Sequence, residues 1–130
     1  MDADHPVARW HALVESKDPR GLDAFLADDV VFHSPVVHTP QHGKAIATAY
    51  LTAALHVLAN EHWRYVREVV GERDACLEFV TELDGIHVNG VDLMRWNDEG
   101  RVVDFKVMVR PLKAVNQLHA MMKAMLERGG

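Results

Sequence analysis

The sequence contains a single cysteine, Cys76, in 130 residues. An intrachain disulfide and a cysteine-based metal site are therefore excluded. It also lacks an excess of basic residues, since 14 Lys and Arg stand against 19 Asp and Glu, a formal net charge of −5. With no basic stripe along the chain, we expect no nucleic-acid partner.

Long apolar runs are absent too. No stretch approaches the ~20 apolar residues that span a membrane, and the N-terminal MDADHPVARW has no signal-peptide core. We therefore expect no membrane partner and a cytoplasmic location. No internal repeat, linker or low-complexity segment divides the chain, and its apolar share of 48% is ordinary. Residues 1–130 are predicted to form a single domain.

Hydrophobic periodicity predicts an order of elements. Helices are expected over residues 6–17, 21–26, 44–58 and 112–127. Strands are expected over residues 30–34, 63–70, 75–83, 86–96 and 101–110. This order favours an α+β fold: a cone-shaped, mostly antiparallel curved sheet wrapped around N-terminal helices, plus a C-terminal helix. Such a cone encloses an apolar interior with one mouth.

The last two predicted strands form a hairpin, with Asn97–Gly100 supplying turn residues. Alternation of side chains places Asp92 on an apolar face, with Val103 and Phe105 of the next strand, and places Val102 on the opposite face. A carboxylate among apolar neighbours is costly unless it is paired, hydrated or protonated. Asp92 is therefore the first candidate for a functional side chain.

Several other large side chains are predicted to line the cone as substrate-binding residues: Trp10, Tyr50, Trp63, Phe79, Phe105 and Val107. As cavity walls they imply an apolar, ring-sized ligand, and as plain core they imply no ligand.

Three motifs are more specific: LADDV at residues 26–30 followed by Ser34-Pro35, HGK at residues 42–44, and VDLMRW at residues 91–96. Through them and the order of elements, the chain resembles the nuclear-transport-factor-2-like superfamily, and within it the SnoaL-like and ketosteroid-isomerase-like proteins. The resemblance runs over nearly the whole chain and implies the cone-shaped fold. Because this fold hosts isomerases, dehydratases, cyclases, hydrolases and non-catalytic subunits, it does not select one function.

The resemblance to ketosteroid isomerases carries over at one of three functional positions. Asp92 matches their protonated aspartate, Ser34 stands where they have a basic aspartate, and Trp10 stands where they have a tyrosine. The Asp-Arg-Asp set of limonene-epoxide-hydrolase-like members is not matched, because Cys76 stands where the arginine would lie. We therefore predict Asp92 as hydrogen-bond donor or acid, with Ser34 and His33 as catalytic support. His33 or His38 is a candidate replacement for the missing base.

No metal is expected, because the spacing of His33, His38 and His42 is not a known zinc spacing. No other cofactor is expected either, because acid/base chemistry on a small apolar molecule needs none.

The sheet face opposite Asp92 is predicted to carry charged side chains, among them Glu78, Arg95, Lys106 and Arg110. They fit either a homodimer interface, as is common among the resembling proteins, or a charged active site. Two functions stay open. One is cofactor-free acid/base chemistry on a small apolar molecule; the other is a non-catalytic ligand-binding or dimeric assembly module with a degenerate site.

Overall fold

The computed structural model describes residues 1–129, which form four helices and one six-stranded sheet. The helices are α1 (Pro6–Ser16), α2 (Leu22–Phe25), α3 (Lys44–Val57) and α4 (Leu112–Gly129), with a 3₁₀ turn at Pro19–Gly21. The strands are β1 (Leu26–His33), β2 (Gln41–His42), β3 (Arg64–Val70), β4 (Asp74–Leu83), β5 (Ile86–Trp96) and β6 (Val102–Arg110). The predicted α+β class is confirmed.

The strands lie in the order β2-β1-β6-β5-β4-β3. The β1–β6 pair is parallel and the other pairs are antiparallel, so the sheet is mostly antiparallel as predicted. Its inner face carries the apolar side chains that alternate along β4 and β5. The helices cover this face, and α4 contacts α3, β5 and β6. The core therefore lies inside a curved sheet that is closed by helices.

The start of β1 differs from the sequence-based expectation. The strand begins at Leu26 rather than Val30, and α2 correspondingly ends at Phe25. The exposed residues Asp28 and Asp29 lie where the pairing of β1 with β6 is irregular. We expected them to precede the strand, but at such an irregularity both side chains can face water within a strand.

The β5–β6 hairpin contains a second irregularity. Trp96 pairs with Val102 and Arg95 pairs with Asp104, so Val103 is an extra residue in β6. A bulge of this kind shifts the alternation by one position. Val102 is fully buried, and its predicted place on the outer face is wrong.

Helix α1 has defined ends. The side chain of His5 accepts a hydrogen bond from the backbone N–H of Val7 at 3.1 Å, and Lys17 ends the helix in the left-handed conformation with φ of 56°. Between these ends Val7 and Trp10 are buried. The helix therefore holds Trp10 inside the cone.

Within residues 1–129, no helix combines the length and the apolar character needed to cross a bilayer.

Candidate functional site

Asp92 lies in the middle of β5, with Leu77 of β4 and Val107 of β6 as its cross-strand partners. Its side chain points inward and is 3% exposed. Among the described residues, Asp92 and Thr81 are the two buried polar side chains. The prediction that an inward-facing carboxyl group stands among apolar neighbours is confirmed by this position.

A chain of two hydrogen bonds ends at Asp92. The indole N–H of Trp10 donates to the hydroxyl oxygen of Tyr65 at 2.7 Å, and the Tyr65 hydroxyl donates to Asp92 Oδ2 at 2.5 Å. The bonds bring together side chains from α1, β3 and β5. The Tyr65 hydroxyl thus stands between Trp10 and the carboxyl group.

Burial raises the pKa of Asp92 from 3.8 to about 7, because the charged form loses its hydration, and the hydrogen bond from Tyr65 opposes this rise. Burial and the neighbouring Asp92 raise the pKa of the Tyr65 hydroxyl well above 10. Tyr65 therefore keeps its proton at neutral pH and stays a donor. Asp92 exchanges its proton in the neutral range.

The ring of Tyr65 is held from two sides. His11 of α1 and Trp63 both meet it edge to face, with ring centroids 5.2 Å and 5.1 Å away. His11 is in turn fixed by Glu68 Oε1, which lies 2.6 Å from its Nε2. These contacts restrict where the Tyr65 hydroxyl can lie.

An apolar cavity of about 230 Å³ opens between the end of β1, α3 and α4. Its walls are formed mainly by apolar and aromatic side chains, among them Phe32, Tyr50, Val107, Leu118 and Met122, and Ser34 is a polar member of the lining. Polar side chains of α4 stand at its rim: His119, Lys123 and Glu127. The cavity therefore opens to the surface beside α4.

A second, much smaller void of about 20 Å³ lies deeper in the cone, beside Asp92. Ala54, Leu58 and Val107 line both spaces and so form the boundary between them. A volume of ~10–15 Å³ or more can hold one water molecule. Asp92 therefore faces room for about one non-hydrogen atom, one layer of side chains away from the larger cavity.

The residues predicted to bind substrate divide between these two spaces. Tyr50 lines the cavity, Val107 lines both spaces, and Trp10, Trp63 and Phe105 line the void. Phe79 stacks on the far side of Trp63 with ring centroids 4.4 Å apart, and does not line either space.

The three predicted catalytic residues are not brought together. Ser34 lines the cavity, but its Oγ accepts hydrogen bonds from the backbone N–H groups of Val36 and Val37 at 3.1 and 3.3 Å. His33 follows Phe32 on β1 and points to the outer face, where its Nε2 lies 3.0 Å from Asp104 Oδ2. Only Asp92 of the three adjoins the void.

Tyr65 was missed as a site residue. The sequence did contain a signal for it: Trp63 was predicted to face the cone, and Tyr65 lies two positions further along the same predicted strand and therefore on the same face. No pattern in the sequence indicated that its hydroxyl would reach Asp92, since that depends on the pairing of β3 with β4.

Among residues 1–129, no three His, Cys, Asp or Glu side chains converge as metal ligands would.

Comparison with known families matches residues 7–105 of this chain to the SnoaL-like domain. The chain belongs to the SnoaL-like domain family. The superfamily indicated by the sequence motifs is confirmed by this match together with the solved structures described next. No curated protein sequence is significantly similar to the chain.

Three solved structures illustrate the similarity of this SnoaL-like chain to known folds. A steroid delta-isomerase from Pseudomonas aeruginosa is 33% identical, with 98% of this chain and 95% of that chain covered and a TM-score of 0.91. An uncharacterized protein with a cystatin-like fold from Silicibacter pomeroyi is also 33% identical, covering 92% and 83%, with a TM-score of 0.85. A nuclear-transport-factor-2-like protein of unknown function from Mesorhizobium loti is 21% identical, covering 82% and 88%, with a TM-score of 0.71, and this likeness concerns the fold alone.

Proposed function

We propose that this SnoaL-like chain binds a small apolar molecule in the cavity between α3 and α4, and that Asp92 donates a proton to an oxygen atom of that molecule. The observation that carries the proposal is the buried carboxyl group of Asp92, with a pKa raised to about 7, next to an apolar cavity. At neutral pH a large share of such a group is protonated, whereas an ordinary aspartate would be ionised. A neutral carboxyl group can act as a general acid.

The direction of the hydrogen bonds supports this role. Because Tyr65 donates to Asp92 Oδ2, the acidic proton of the neutral carboxyl group belongs on Oδ1. A ligand oxygen placed in the small void would accept that proton. Isomerisation, dehydration, cyclisation and hydrolysis of a carbonyl or ether compound all use such an acid and need no cofactor. In an isomerisation, water in the cavity would take the proton from the α-carbon and return one to the γ-carbon, while Asp92 protonates the carbonyl oxygen and recovers that proton when the conjugated ketone forms. The relative from Pseudomonas aeruginosa, described as a steroid delta-isomerase, belongs to one of these types.

The test is turnover of a one-ring β,γ-unsaturated ketone, followed by the ultraviolet absorbance of its conjugated isomer. Asp92→Asn should lower the rate by ~10²–10⁴, the usual contribution of a general acid. Asp104→Asn is the matched control, because it makes the same change at the carboxylate that pairs with His33 outside the cone. Equal rates for the wild type and Asp92→Asn would refute the acid role.

A second candidate is a binding module without catalysis. One observation that favours it is the small size of the void beside Asp92. Another is Ser34, which stands where the ketosteroid isomerases have a basic aspartate: its hydroxyl accepts hydrogen bonds from its own loop and does not supply a base. Binding of the same ketone without conversion, detected as perturbed amide resonances of cavity residues, would select this candidate.

A further inference from the structure

The volume of the cavity limits what it can hold. At about 230 Å³ it lies between two reference sizes. An apolar cavity of about 150 Å³ is enough to bind benzene, and drug-sized ligands occupy clefts of about 300–1,000 Å³. The cavity of this chain therefore has room for more than one benzene-sized ring but less than a drug-sized molecule requires.

Extending the cavity toward Asp92 for a large ligand would disrupt tightly packed side chains. The boundary residues Leu58 and Val107 are 5% and 4% exposed, and Phe105 behind them is fully buried. Trp10 packs on Phe105 with ring centroids 4.9 Å apart. Side chains packed in this way do not move apart for a large ligand without loss of contacts.

The other wall is equally filled. Phe32 and Tyr50 stack with ring centroids 5.5 Å apart, and both line the cavity. Phe32 in turn stacks on Phe105 at 6.4 Å, which ties this wall to the floor near Asp92. The cavity is therefore bounded by one continuous aromatic cluster on the side that faces the sheet.

From this geometry we infer that the ligand is a compact molecule of one or two rings with a single oxygen substituent, and that four-ring steroids bind less tightly, because part of their ring system would lie outside the cavity. The inference rests on the proposed function and names its ligand class. The ring body occupies the larger cavity, and its oxygen atom reaches the void beside Asp92 when the boundary side chains Leu58 and Val107 move apart by the width of one atom.

Val107 determines this specificity. It lines both spaces and is the cross-strand partner of Asp92. Shortening its side chain joins the cavity to the void and lengthens the space available to a ligand. Val109, two positions further on the same strand, is half-buried and does not line the cavity, so it offers a matched position for comparison.

The experiment titrates the protein with two ketone probes, the two-ring β-tetralone and the four-ring androstenedione, and follows amide resonances by nuclear magnetic resonance. The wild type should bind β-tetralone at least about tenfold more tightly than androstenedione, in line with the discrimination of apolar pockets by size. Val107→Ala should narrow this ratio by tightening binding of androstenedione, and Val109→Ala should leave the ratio unchanged.

The possible outcomes test the ligand class separately from the proposed binding function. If the wild type binds androstenedione as tightly as β-tetralone, the ligand class inferred here is wrong, while the proposed binding function stands. If neither ketone perturbs the resonances of cavity residues, both the ligand class and the proposed function are overturned. An equal change of the ratio in Val107→Ala and Val109→Ala would refute the role of Val107.

Discussion

Asp92 combines two features: its side chain is buried in an apolar core, and it accepts a hydrogen bond from a donor, Tyr65, that is itself held in place. Burial favours the neutral form, and the hydrogen bond from Tyr65 favours the charged form. Because the first effect is the larger, the folded protein holds the Asp92 proton more tightly than the unfolded chain does. This difference makes stability depend on pH.

Proton linkage gives the direction in which stability changes with pH. The pKa of Asp92 is raised from 3.8 to about 7 on folding, so its contribution to the free energy of unfolding is fully present below the lower value and is lost as the pH rises through the higher one. Between these two pH values the free energy of unfolding falls by about 1.4 kcal/mol for each pH unit. Asp92→Asn removes the titrating group.

We therefore expect the free energy of unfolding of Asp92→Asn to rise relative to that of the wild type between about pH 4 and pH 7. Urea unfolding at a series of pH values measures it. Parallel pH curves for the two proteins would show that Asp92 does not titrate with a raised pKa.

At the level of elements, Gly90 of β5 lies close to residues of both neighbouring strands, β4 and β6. A Cβ atom at this position would lie 2.5 Å from the backbone oxygen of Met108 and 2.5 Å from Cζ of Phe79. Both neighbours belong to strands that pair with β5, and Phe79 is fully buried. A strand backbone cannot move away without breaking the ladder, so the position requires glycine.

Gly90→Ala should lower the free energy of unfolding by about 1–3 kcal/mol, the usual cost of overpacking a core. Gly71→Ala is the control, because its Cβ would meet the carboxylate of Asp74, a side chain at the surface that can rotate away. Chemical denaturation of both variants gives the comparison. If Gly71→Ala lowered the free energy of unfolding as much as Gly90→Ala does, overpacking against the neighbouring strands would not explain the effect at Gly90.

On the scale of the whole molecule, the outer face of the sheet is uncovered. We propose that two copies of the chain pair through this face, which carries the predicted residues Glu78, Arg95, Lys106 and Arg110. Val66 and Met108 are 43% and 48% exposed. In a two-fold symmetric dimer a face meets its own copy, so acidic and basic groups on one face can pair across the interface.

Within one chain these charged groups are only partly engaged. Glu78 accepts from Arg67 at 3.1 Å, and Arg110 donates to Asn89 at 2.9 Å. Arg95 is exposed. Charge and exposed apolar surface together support pairing with a second copy.

Light scattering at micromolar concentration should give a dimer mass for the wild type and a monomer mass for Met108→Glu. Leu112→Glu places the same charge on α4, away from the sheet face, at a side chain that is 74% exposed, and should remain dimeric. A monomeric wild type would rule out the interface.

The sequence by itself determined the order of the longer elements, but not the two-residue strand β2, and the inward direction of Asp92. Both follow from local periodicity, since the helical and strand repeats record which side chains a folded element buries. The motifs around Ser34, Gly43 and Asp92 were also sufficient to indicate the superfamily.

Only the tertiary structure decided which side chains meet. The bulge at Val103 and the irregular pairing near Asp28 depend on strand register, which a single strand does not encode. The bond between Tyr65 and Asp92 joins residues 27 positions apart, and the separation of His33 from the cone follows from its place on β1. The volume of the cavity depends on how α3 and α4 pack over the sheet, because packing of distant elements sets the space between them.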